Sequence, residues 1–200
     1  MIIIKFIIVM ICSYFIGNIS PSTIIGKSKG IDIKKAGSGN AGTTNALRVL
    51  GKKAALITLC IDILKGFIAV FIAVKLLNHD GYALFSALFV FLGHVWPVLY
   101  AFKGGKGVAT AFGALLAVRW EMALICLAIV ILIVIFTRMV SLGSVCAAII
   151  FPFLCLFMRR EFMIPGIIMA LILIFKHRAN IGRILAGTES KISFGKGKDK

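Results

Sequence analysis

A glycine-rich polar segment, residues 37–51, carries the side chains in this sequence that are best suited to bind an oxyanion. Glycines let backbone N–H groups turn toward a ligand and let that ligand approach closely. If Thr43 or Thr44 begins a helix, the unpaired N–H groups of its first turn attract an anion. Arg48 adds a planar guanidinium that matches phosphate or carboxylate. The segment therefore predicts an anion site, most suited to phosphate, and the alternative is an ordinary loop before a capped helix. The predicted binding and catalytic residues here are Ser38, Gly39, Asn40, Thr43, Asn45 and Arg48.

The same segment matches a nucleotide-binding P-loop only in part. Gly37 and Gly42 have the spacing of the motif's two glycines, but Thr43 occupies the position where the motif needs lysine. No pattern of alternating soluble strands and helices surrounds the segment. These two differences exclude a P-loop nucleoside triphosphatase.

A second glycine-rich loop, FKGGKGVAT at residues 102–110, alternates lysines with glycines. Backbone N–H groups and two ammonium groups in so short a loop favour a second anion site. A basic loop that only fixes membrane topology is the alternative. His94 precedes the loop, and a single histidine near a helix end is more often structural than catalytic. The predicted binding residues of this loop are Gly104, Gly105, Lys106 and Gly107.

The C-terminal tail repeats a short pattern from the first segment. Residues 45–50 and 180–185 both read N-x-x-R-[VI]-L, which puts an amide and a guanidinium on one face of a helical turn. We therefore expect two related anion half-sites, with Arg183 and Asn180 in the second. His177 lies three residues before Asn180 and is the best candidate base by spacing. The alternative for His177 is an anchor at the membrane surface.

The composition defines the class of protein. The chain has 200 residues, of which 60% are hydrophobic, and a formal net charge of +16. A soluble domain of this size cannot bury so much apolar sequence, so the chain is predicted to be an integral membrane protein. The basic residues lie between apolar segments, which indicates anionic lipid and anionic substrates rather than nucleic acid. The five cysteines lie in apolar runs without a CxxC pair, so no disulfide, metal site or cofactor is predicted.

Seven apolar segments predict an all-α bundle that forms a single domain over residues 1–200. Residues 108–118 would span only about half of a bilayer at about 1.5 Å per residue, so five crossings are the alternative to seven. Lysine and arginine concentrate in 20–53, in 102–107 and in the tail. The positive-inside rule therefore places the glycine-rich motifs on the cytoplasmic face and the N-terminus outside. The seven segments are residues 2–19, 54–77, 82–102, 108–118, 122–137, 139–158 and 162–176.

Two opposite charges interrupt the second apolar segment. Asp62 and Lys65 are three residues apart and so share one helix face. Charges at membrane depth are costly and are usually paired or functional. A structural ion pair and a role in substrate binding both remain open.

Three stretches taken together resemble the signature motifs of the bacterial membrane glycerol-3-phosphate acyltransferases that use acyl phosphate. They are GSGNAGTTNALRVLG, GHVWPVLYAFKGGKGVAT and HRANIGRILAGTESK, which begin at residues 37, 93 and 177, and the DILKG stretch at 62–66 also fits. The resemblance covers the whole chain. It implies transfer of a fatty acyl group from acyl phosphate to the sn-1 hydroxyl of glycerol 3-phosphate. The products are lysophosphatidic acid and phosphate, in bacterial phospholipid synthesis.

The resemblance also implies roles for individual residues. Ser38 and Arg48 are expected to be essential, and the 104–107 loop to bind acyl phosphate. His177 and Asn180 are expected to act in catalysis. The hydroxyl proton goes either to His177 or to a phosphate oxygen of a substrate, and a covalent acyl-enzyme at Ser38 is a weaker option. Glu189 is implied to be structural.

The resemblance implies a location and partners as well. The protein is expected in the bacterial plasma membrane as a multi-pass protein, among membrane lipids and near the enzyme that makes acyl phosphate. Activity is expected to be independent of added metal. None of the three histidines is followed by aspartate in an H-x-x-x-x-D pattern, so the sequence does not support a CoA-type acyltransferase. The alternative function is a membrane transporter for a phosphorylated or other anionic solute.

Overall fold

The structure, a computed structural model, describes residues 2–77 and 80–192. Within these ranges the chain is helical and has no strand, which confirms the predicted all-α class. Residues 78–79 of the predicted turn and residues 193–200 of the basic tail lie outside the described part. Two short 3₁₀ turns, Val98–Tyr100 and Arg160–Phe162, interrupt the helices. The helices are α1 (Ile2–Gly17), α2 (Pro21–Ser28), α3 (Thr43–Val49), α4 (Lys52–Leu77), α5 (Asp80–Ala83), α6 (Phe85–Val95), α7 (Val108–Val118), α8 (Trp120–Thr137), α9 (Val140–Met158), α10 (Met163–Lys176) and α11 (Arg178–Leu185).

Each of the seven predicted apolar segments corresponds to one of these helices, although α4 and α8 each begin two residues before the predicted segment. Five stretches of the described residues are long and apolar enough to cross a membrane, and α10 with α11, bent by 55° at their junction, forms a sixth if counted as one span. Helix α7 has 11 residues and is about 16 Å long, well short of a bilayer core. The number of crossings and the side of the N-terminus stay predictions. The five stretches are Ile2–Ser28, Lys52–Leu77, Gly81–Tyr100, Trp120–Thr137 and Val140–Met158.

The core lies between α4, α6, α7 and the three long helices that follow. Val70, Phe91, Met122 and Phe162 are fully buried in one continuous apolar cluster at the centre of the bundle. Helix α8, by contrast, is apolar all round and leaves most of its surface exposed, including Phe136. A helix that is apolar on every side and exposed is suited to lipid rather than water.

Close contact between α4 and α7 depends on glycine. A Cβ atom added to Gly66 would lie 2.2 Å from the backbone oxygen of Thr110, and one added to Gly113 would lie 1.9 Å from that of Ile63. Small residues let membrane helices approach closely enough for extensive van der Waals contact. Helix α7, although short, is thereby fixed against the longest helix of the bundle, α4.

The first polar motif is attached to the bundle by its own small apolar cluster. Ile33, Ala41, Ala46 and Leu50 pack together with the first turn of α4. Helix α3 begins at Thr43, one of the two helix starts considered from the sequence. The connection between α2 and α4 is therefore not a free loop but a folded segment held at one end of the membrane helices.

Candidate active site

A cavity of about 640 Å³ opens between the helices at the end of the bundle where the three motifs meet. The start of α7, the start of α9 and the end of α10 contribute to its wall, because these helices run in alternating directions. Polar residues of the motifs form one part of the wall. Apolar residues of α4 and α7–α10, such as Phe112, Phe151 and Met169, form the rest.

Most of the residues predicted from the sequence line this cavity. Four predicted residues, Gly39, Gly104, Gly105 and Lys65, are not part of the lining. The fold therefore brings together predicted residues from four separate parts of the chain. The predicted residues that line the cavity are Ser38, Asn40, Thr43, Asn45, Arg48, Asp62, Lys106, Gly107, His177, Asn180, Arg183 and Glu189.

Asn45 holds the loop that carries Ser38. Its side-chain oxygen accepts the backbone N–H of Ser38 at 2.8 Å, and its amide donates to the carbonyls of Ile33 and Ala36 at 3.1 and 3.0 Å. Gly37 allows this arrangement, because a Cβ there would lie 2.3 Å from the Asn45 oxygen and its φ is +60°. The geometry therefore favours a positioning role for Asn45 over direct substrate binding.

Two groups of the first motif point to a ligand. Arg48 is exposed at the cavity wall and has no ion-pair partner among residues 2–77 and 80–192. The hydroxyl of Thr43 is buried, and no hydrogen-bond partner for it lies in the described chain. Buried polar groups normally find a partner. A bound phosphate can supply acceptor oxygens to both.

A hydrogen-bonded network joins the second and third motifs. Lys106 donates to the side-chain oxygen of Asn180, whose amide in turn donates to Glu189 at 2.7 Å. Glu189 also accepts from the hydroxyl of Ser141 at 2.7 Å and from Arg183 Nε at 2.7 Å. Glu189 is thus the centre of the network. Both of its carboxylate oxygens already accept hydrogen bonds, which favours a structural role over that of a base. Ser141 was missed by the sequence analysis, since nothing in its neighbourhood marks it.

The network tunes the charges around the cavity. Burial tends to raise the pKa of Glu189, but the hydrogen bonds from Ser141, Asn180 and Arg183 outweigh it and hold that pKa below its ordinary value. Burial, together with the nearby positive charges of Arg183 and Arg48, lowers the pKa of Lys106 to about 8. The site therefore contains a stable carboxylate and an ammonium that a bound anion would stabilise.

His177 lies at the junction of α10 and α11 and is buried at the cavity wall. Its Nδ1 lies 2.8 Å from the carbonyl of Leu173, and since a carbonyl only accepts, Nδ1 carries the proton. Nε2 is then an unprotonated acceptor. Burial and the charge of Lys106 lower the pKa of His177 to about 4, so the ring is neutral near pH 7 and is a weak base.

The predicted pair Asp62 and Lys65 is present, with 2.7 Å between Lys65 Nζ and Asp62 Oδ1. The structure adds a third member that the sequence analysis left out. His94 Nδ1 lies 2.8 Å from Lys65 Nζ, so the single histidine before the second loop belongs to a buried polar cluster. Its distance of 29 residues from Lys65 gives no local signal of this contact.

The cavity is suited to an amphiphile with an anionic end. Three cationic side chains, Arg48, Lys106 and Arg183, share the wall with a long apolar surface. Among residues 2–77 and 80–192, no cluster of histidine, cysteine and carboxylate side chains is suited to hold a metal ion. The cavity can therefore bind a ligand by electrostatic attraction, by hydrogen-bond donation and by burial of an apolar chain.

Fold and cavity together define a multi-pass membrane protein with a cation-lined site between its helices. The chain belongs to the glycerol-3-phosphate acyltransferase family, whose model matches residues 7–187. Glycerol-3-phosphate acyltransferase of Clostridioides difficile (strain 630) is 46% identical over 200 residues, covering 94% of this chain and 96% of the relative. That of Lactiplantibacillus plantarum is 44% identical over 197 residues, covering 96% and 95%.

Solved structures agree with this assignment. The crystal structure of PlsY (YgiH), an integral membrane glycerol 3-phosphate acyltransferase, in its glycerol 3-phosphate form is 39% identical, with a TM-score of 0.88 and coverage of 94% of this chain and 96% of that one. The lysophosphatidic acid form of PlsY gives a TM-score of 0.85, with coverage of 94% and 95%. The predictions of a multi-pass membrane acyltransferase and of its family are confirmed, and the enzyme rather than the transporter is supported.

Proposed function

We propose that this protein transfers a fatty acyl group from acyl phosphate to the sn-1 hydroxyl of glycerol 3-phosphate, with release of lysophosphatidic acid and phosphate. The observation that carries the proposal is one cavity in which three cationic side chains meet an apolar groove. Both substrates carry a phosphate, and one also carries a long apolar chain. Relatives described in a glycerol 3-phosphate form and a lysophosphatidic acid form support the acceptor and the product.

The phosphate ends of the substrates bind to the motif residues. Lys106, at the end of the second glycine-rich loop, binds the phosphate of the acyl donor. Arg48 and Arg183 bind the phosphate of the acceptor, with Ser38 and Thr43 as hydrogen-bond donors. Two dianions close together need more than one cation to offset their repulsion, which accounts for several basic groups around one cavity.

The acyl chain occupies the apolar part of the cavity. Side chains from α4, α7, α9 and α10 line it, including Ile63, Phe112, Phe151 and Met169. Each buried CH₂ group contributes about 0.8 kcal/mol, so binding of the chain provides much of the affinity. Part of the chain's binding energy serves to hold its carbonyl carbon beside the acceptor hydroxyl.

The reaction itself requires alignment and charge stabilisation. The sn-1 oxygen of glycerol 3-phosphate attacks the carbonyl carbon of the mixed anhydride. The new ester C–O bond forms, the bond from the carbonyl carbon to the phosphate oxygen breaks, and phosphate leaves with its electron pair. Lys106 and backbone N–H groups of the loops stabilise the negative charge that develops on the carbonyl oxygen and on the departing phosphate.

The hydroxyl proton has two candidate acceptors. One is Nε2 of His177, which lacks a proton in the tautomer that the contact of Nδ1 with the Leu173 carbonyl requires. The other is an oxygen of the leaving phosphate, which is a stronger base than a histidine whose pKa is lowered to about 4. The low pKa favours the phosphate as acceptor and leaves His177 to bind and orient the substrates.

Positioning, domain and cellular roles complete the proposal. Asn45, Asn180 and Glu189 hold the binding groups in place, and residues 1–200 form one domain because all three motifs meet in one cavity. The protein acts in the bacterial plasma membrane. The enzyme that produces acyl phosphate is a proposed partner, since its product is a reactive amphiphile.

Phosphate release by the purified protein in detergent or a lipid mesophase tests the proposal, with palmitoyl phosphate as donor and glycerol 3-phosphate as acceptor. We expect release that needs both substrates, with formation of lysophosphatidic acid. Parallel reactions omit the acceptor or replace the donor with palmitoyl-CoA. Transfer from palmitoyl-CoA, or no transfer from palmitoyl phosphate, would contradict the proposed donor.

A further inference from the structure

We propose that His94, held by Lys65 and Asp62, is a positioning residue that seats the glycine-rich loop 103–107 and so sets the affinity for the phosphate end of the acyl donor. This inference rests on the proposed function, since it assigns a task in acyl-phosphate binding. It gives a function to a buried polar cluster at the cavity wall that the chemistry of transfer does not use.

The cluster fixes one edge of the His94 ring. Lys65 Nζ lies 2.8 Å from His94 Nδ1, donates to the carbonyl of Ile19 at 2.6 Å, and forms an ion pair with Asp62 Oδ1 at 2.7 Å. All three side chains of the cluster are more than nine-tenths buried. Buried charges in a membrane protein are costly unless paired. Such a cluster therefore has few alternative arrangements, and the ring is held in one orientation.

The tautomer of His94 follows from this contact. Nδ1 has two neighbours, Lys65 Nζ at 2.8 Å and Asp62 Oδ1 at 3.4 Å. The nearer one is an ammonium, which can only donate, so this geometry favours Nδ1 as the acceptor. The neutral ring then carries its proton on Nε2, at the edge opposite Lys65. No hydrogen-bond partner of Nε2 is found in the described chain, and His94 lines the cavity.

The opposite edge of the ring supports the loop. A Cβ atom added to Gly105 would lie 2.1 Å from His94 Nε2, so the loop backbone rests directly on the ring. The backbone N–H of Gly105 donates to the carbonyl of His94 at 3.1 Å. A Cβ added to Gly104 would lie 2.0 Å from that same carbonyl oxygen. The two glycines of this loop that do not line the cavity, Gly104 and Gly105, are thus the ones that pack against residue 94.

The position of Gly105 determines where the next residue, Lys106, lies. Lys106 and Gly107 line the cavity, and Lys106 also bonds to Asn180 in the C-terminal network. A shift of Gly105 moves the Lys106 side chain and the neighbouring N–H groups away from their places around the donor phosphate. In the proposed function the acceptor phosphate is bound by Arg48 and Arg183 rather than by this loop, so a shift of Gly105 acts first on the donor phosphate.

Two substitutions of residue 94 distinguish its support of the loop from its role as hydrogen-bond acceptor for Lys65. In His94→Asn the side-chain oxygen still accepts from Lys65, but the outer half of the ring beneath Gly105 is lost. In His94→Gln the amide reaches the place of Nε2, but the acceptor for Lys65 is lost. We expect His94→Asn to raise KM for palmitoyl phosphate about three- to tenfold, with KM for glycerol 3-phosphate and kcat within about twofold of the starting protein. His94→Gln raises KM for the donor less.

A purely structural role of His94 predicts the opposite order of severity for the two substitutions. If His94 only satisfies the buried ammonium, His94→Gln lowers the unfolding temperature and the active fraction more than His94→Asn, and KM for the donor is unchanged in both. That result overturns the inference. Ser86→Ala is the control, because Ser86 is buried on the same helix α6 and bonds only to the carbonyl of Ala83. It should leave both KM values unchanged.

A double-mutant cycle provides a second, independent test. Gly105→Ala alone places a methyl group against the ring and should raise KM for the donor. In the His94→Asn background the clashing ring atoms are gone, so the added methyl group should cost at least threefold less. Additive effects of Gly105→Ala and His94→Asn would overturn the inference. His94→Gln is the control background, because its amide still reaches the place of Nε2 and the cost of the added methyl group should persist there. A reduced cost in His94→Gln would also overturn the inference, even if His94→Asn proves too unstable to measure. Absence of any acyl transfer in the unchanged protein would instead reject the proposed function.

Discussion

At the scale of single residues, the unusual feature is an ammonium with few stabilising partners. Lys106 has one carboxylate nearby, Glu189, which is already engaged by Ser141, Asn180 and Arg183. Its remaining neighbours are mostly positive. Such a group gains stability when an anion binds, and it can therefore convert substrate charge into affinity.

Replacement of Lys106 should lower activity far more than replacement of Lys103, which lies in the same loop. We expect Lys106→Met to lower kcat/KM by about 10²- to 10³-fold, because it removes a charge aimed at the transferring group. Lys103→Met is the matched control, since Lys103 is exposed and does not line the cavity. Initial rates of phosphate release give both values. Equal effects of the two substitutions would contradict a specific role for Lys106.

The pKa of Lys106 also predicts a pH dependence. Because burial and nearby cations lower that pKa to about 8, the side chain loses its charge as the pH rises through 8. We expect KM for palmitoyl phosphate to rise above about pH 8. In Lys106→Arg the side chain stays charged, so the rise should move to higher pH even if the maximal rate is lower. Measurement of KM from pH 6.5 to 9.5 in about half-unit steps tests this.

Glu189 predicts an effect on stability. Its pKa lies below the ordinary value, so its contribution is present above the unfolded-state pKa of about 4.3 and is lost as the pH falls. Glu189→Gln should lower the free energy of unfolding by about 1–3 kcal/mol at pH 7, mainly through buried hydrogen bonds, since Arg183 is partly exposed. The difference from the starting protein should shrink near pH 4. Thermal unfolding in detergent at both pH values measures it, and an equal difference at both would contradict the charged network.

At the scale of helices, the short α7 depends on α4 for its place. It carries Gly107 and Val108 at its start, where the cavity wall begins, and it is too short to be fixed by the bilayer alone. The close contact with α4 at Gly66 and Gly113 fixes the position of α7 instead. Packing of two helices therefore determines where the second anion loop ends.

A glycine substitution on α4 should reveal this dependence. In Gly66→Ala the new methyl group would lie 2.2 Å from a backbone oxygen of α7, so the helices must separate. We expect destabilisation of about 1–3 kcal/mol and a higher KM for the acyl donor. Gly182→Ala is the control, because no atom lies within 4 Å of a Cβ at that exposed helical position. Unfolding temperatures of the two variants should differ clearly, and a similar value for both would contradict the packing argument.

At the scale of the whole molecule, three stretches far apart in sequence meet at one end of the bundle. By the positive-inside rule we expect that end to lie in the cytoplasm, where water-soluble glycerol 3-phosphate is available. The apolar wall of the same cavity gives the donor's chain a place among the helices. A single orientation in the membrane thus serves both substrates.

Cysteine labelling of a cysteine-free variant tests this orientation. With a membrane-impermeant maleimide on intact cells, we expect Glu161→Cys to react and Lys103→Cys to react only after permeabilisation. Glu121→Cys distinguishes the crossing numbers, because residue 121 lies outside if α7 crosses the membrane and is protected if it does not. Labelling of Lys103→Cys in intact cells would contradict the predicted topology.

Much of the site follows from local chemistry. Glycine-rich loops with arginine or lysine predict anion binding whatever surrounds them, and the N-x-x-R pattern puts two groups on one helix face. Ser141 contacts Glu189, which lies 48 positions further along the chain, and Lys65 contacts His94, which lies 29 positions further. No periodicity or spacing reports such pairs, so the centre of the network and the third member of the buried cluster needed the structure.

The membrane class, the helical segments, the three motifs and, through their resemblance, the family can all be predicted from the sequence. These properties depend on composition, on hydrophobic periodicity and on short-range order along the chain, all of which are local. Which motif residues face the cavity and which support it is visible only in the folded protein. That division depends on how helices pack: Gly104 and Gly105 rest on His94, Asn45 turns back to hold Ser38, and Lys106 reaches the third motif. The direction of a side chain is set by the neighbours that exclude it from other places, and those neighbours come from distant parts of the chain.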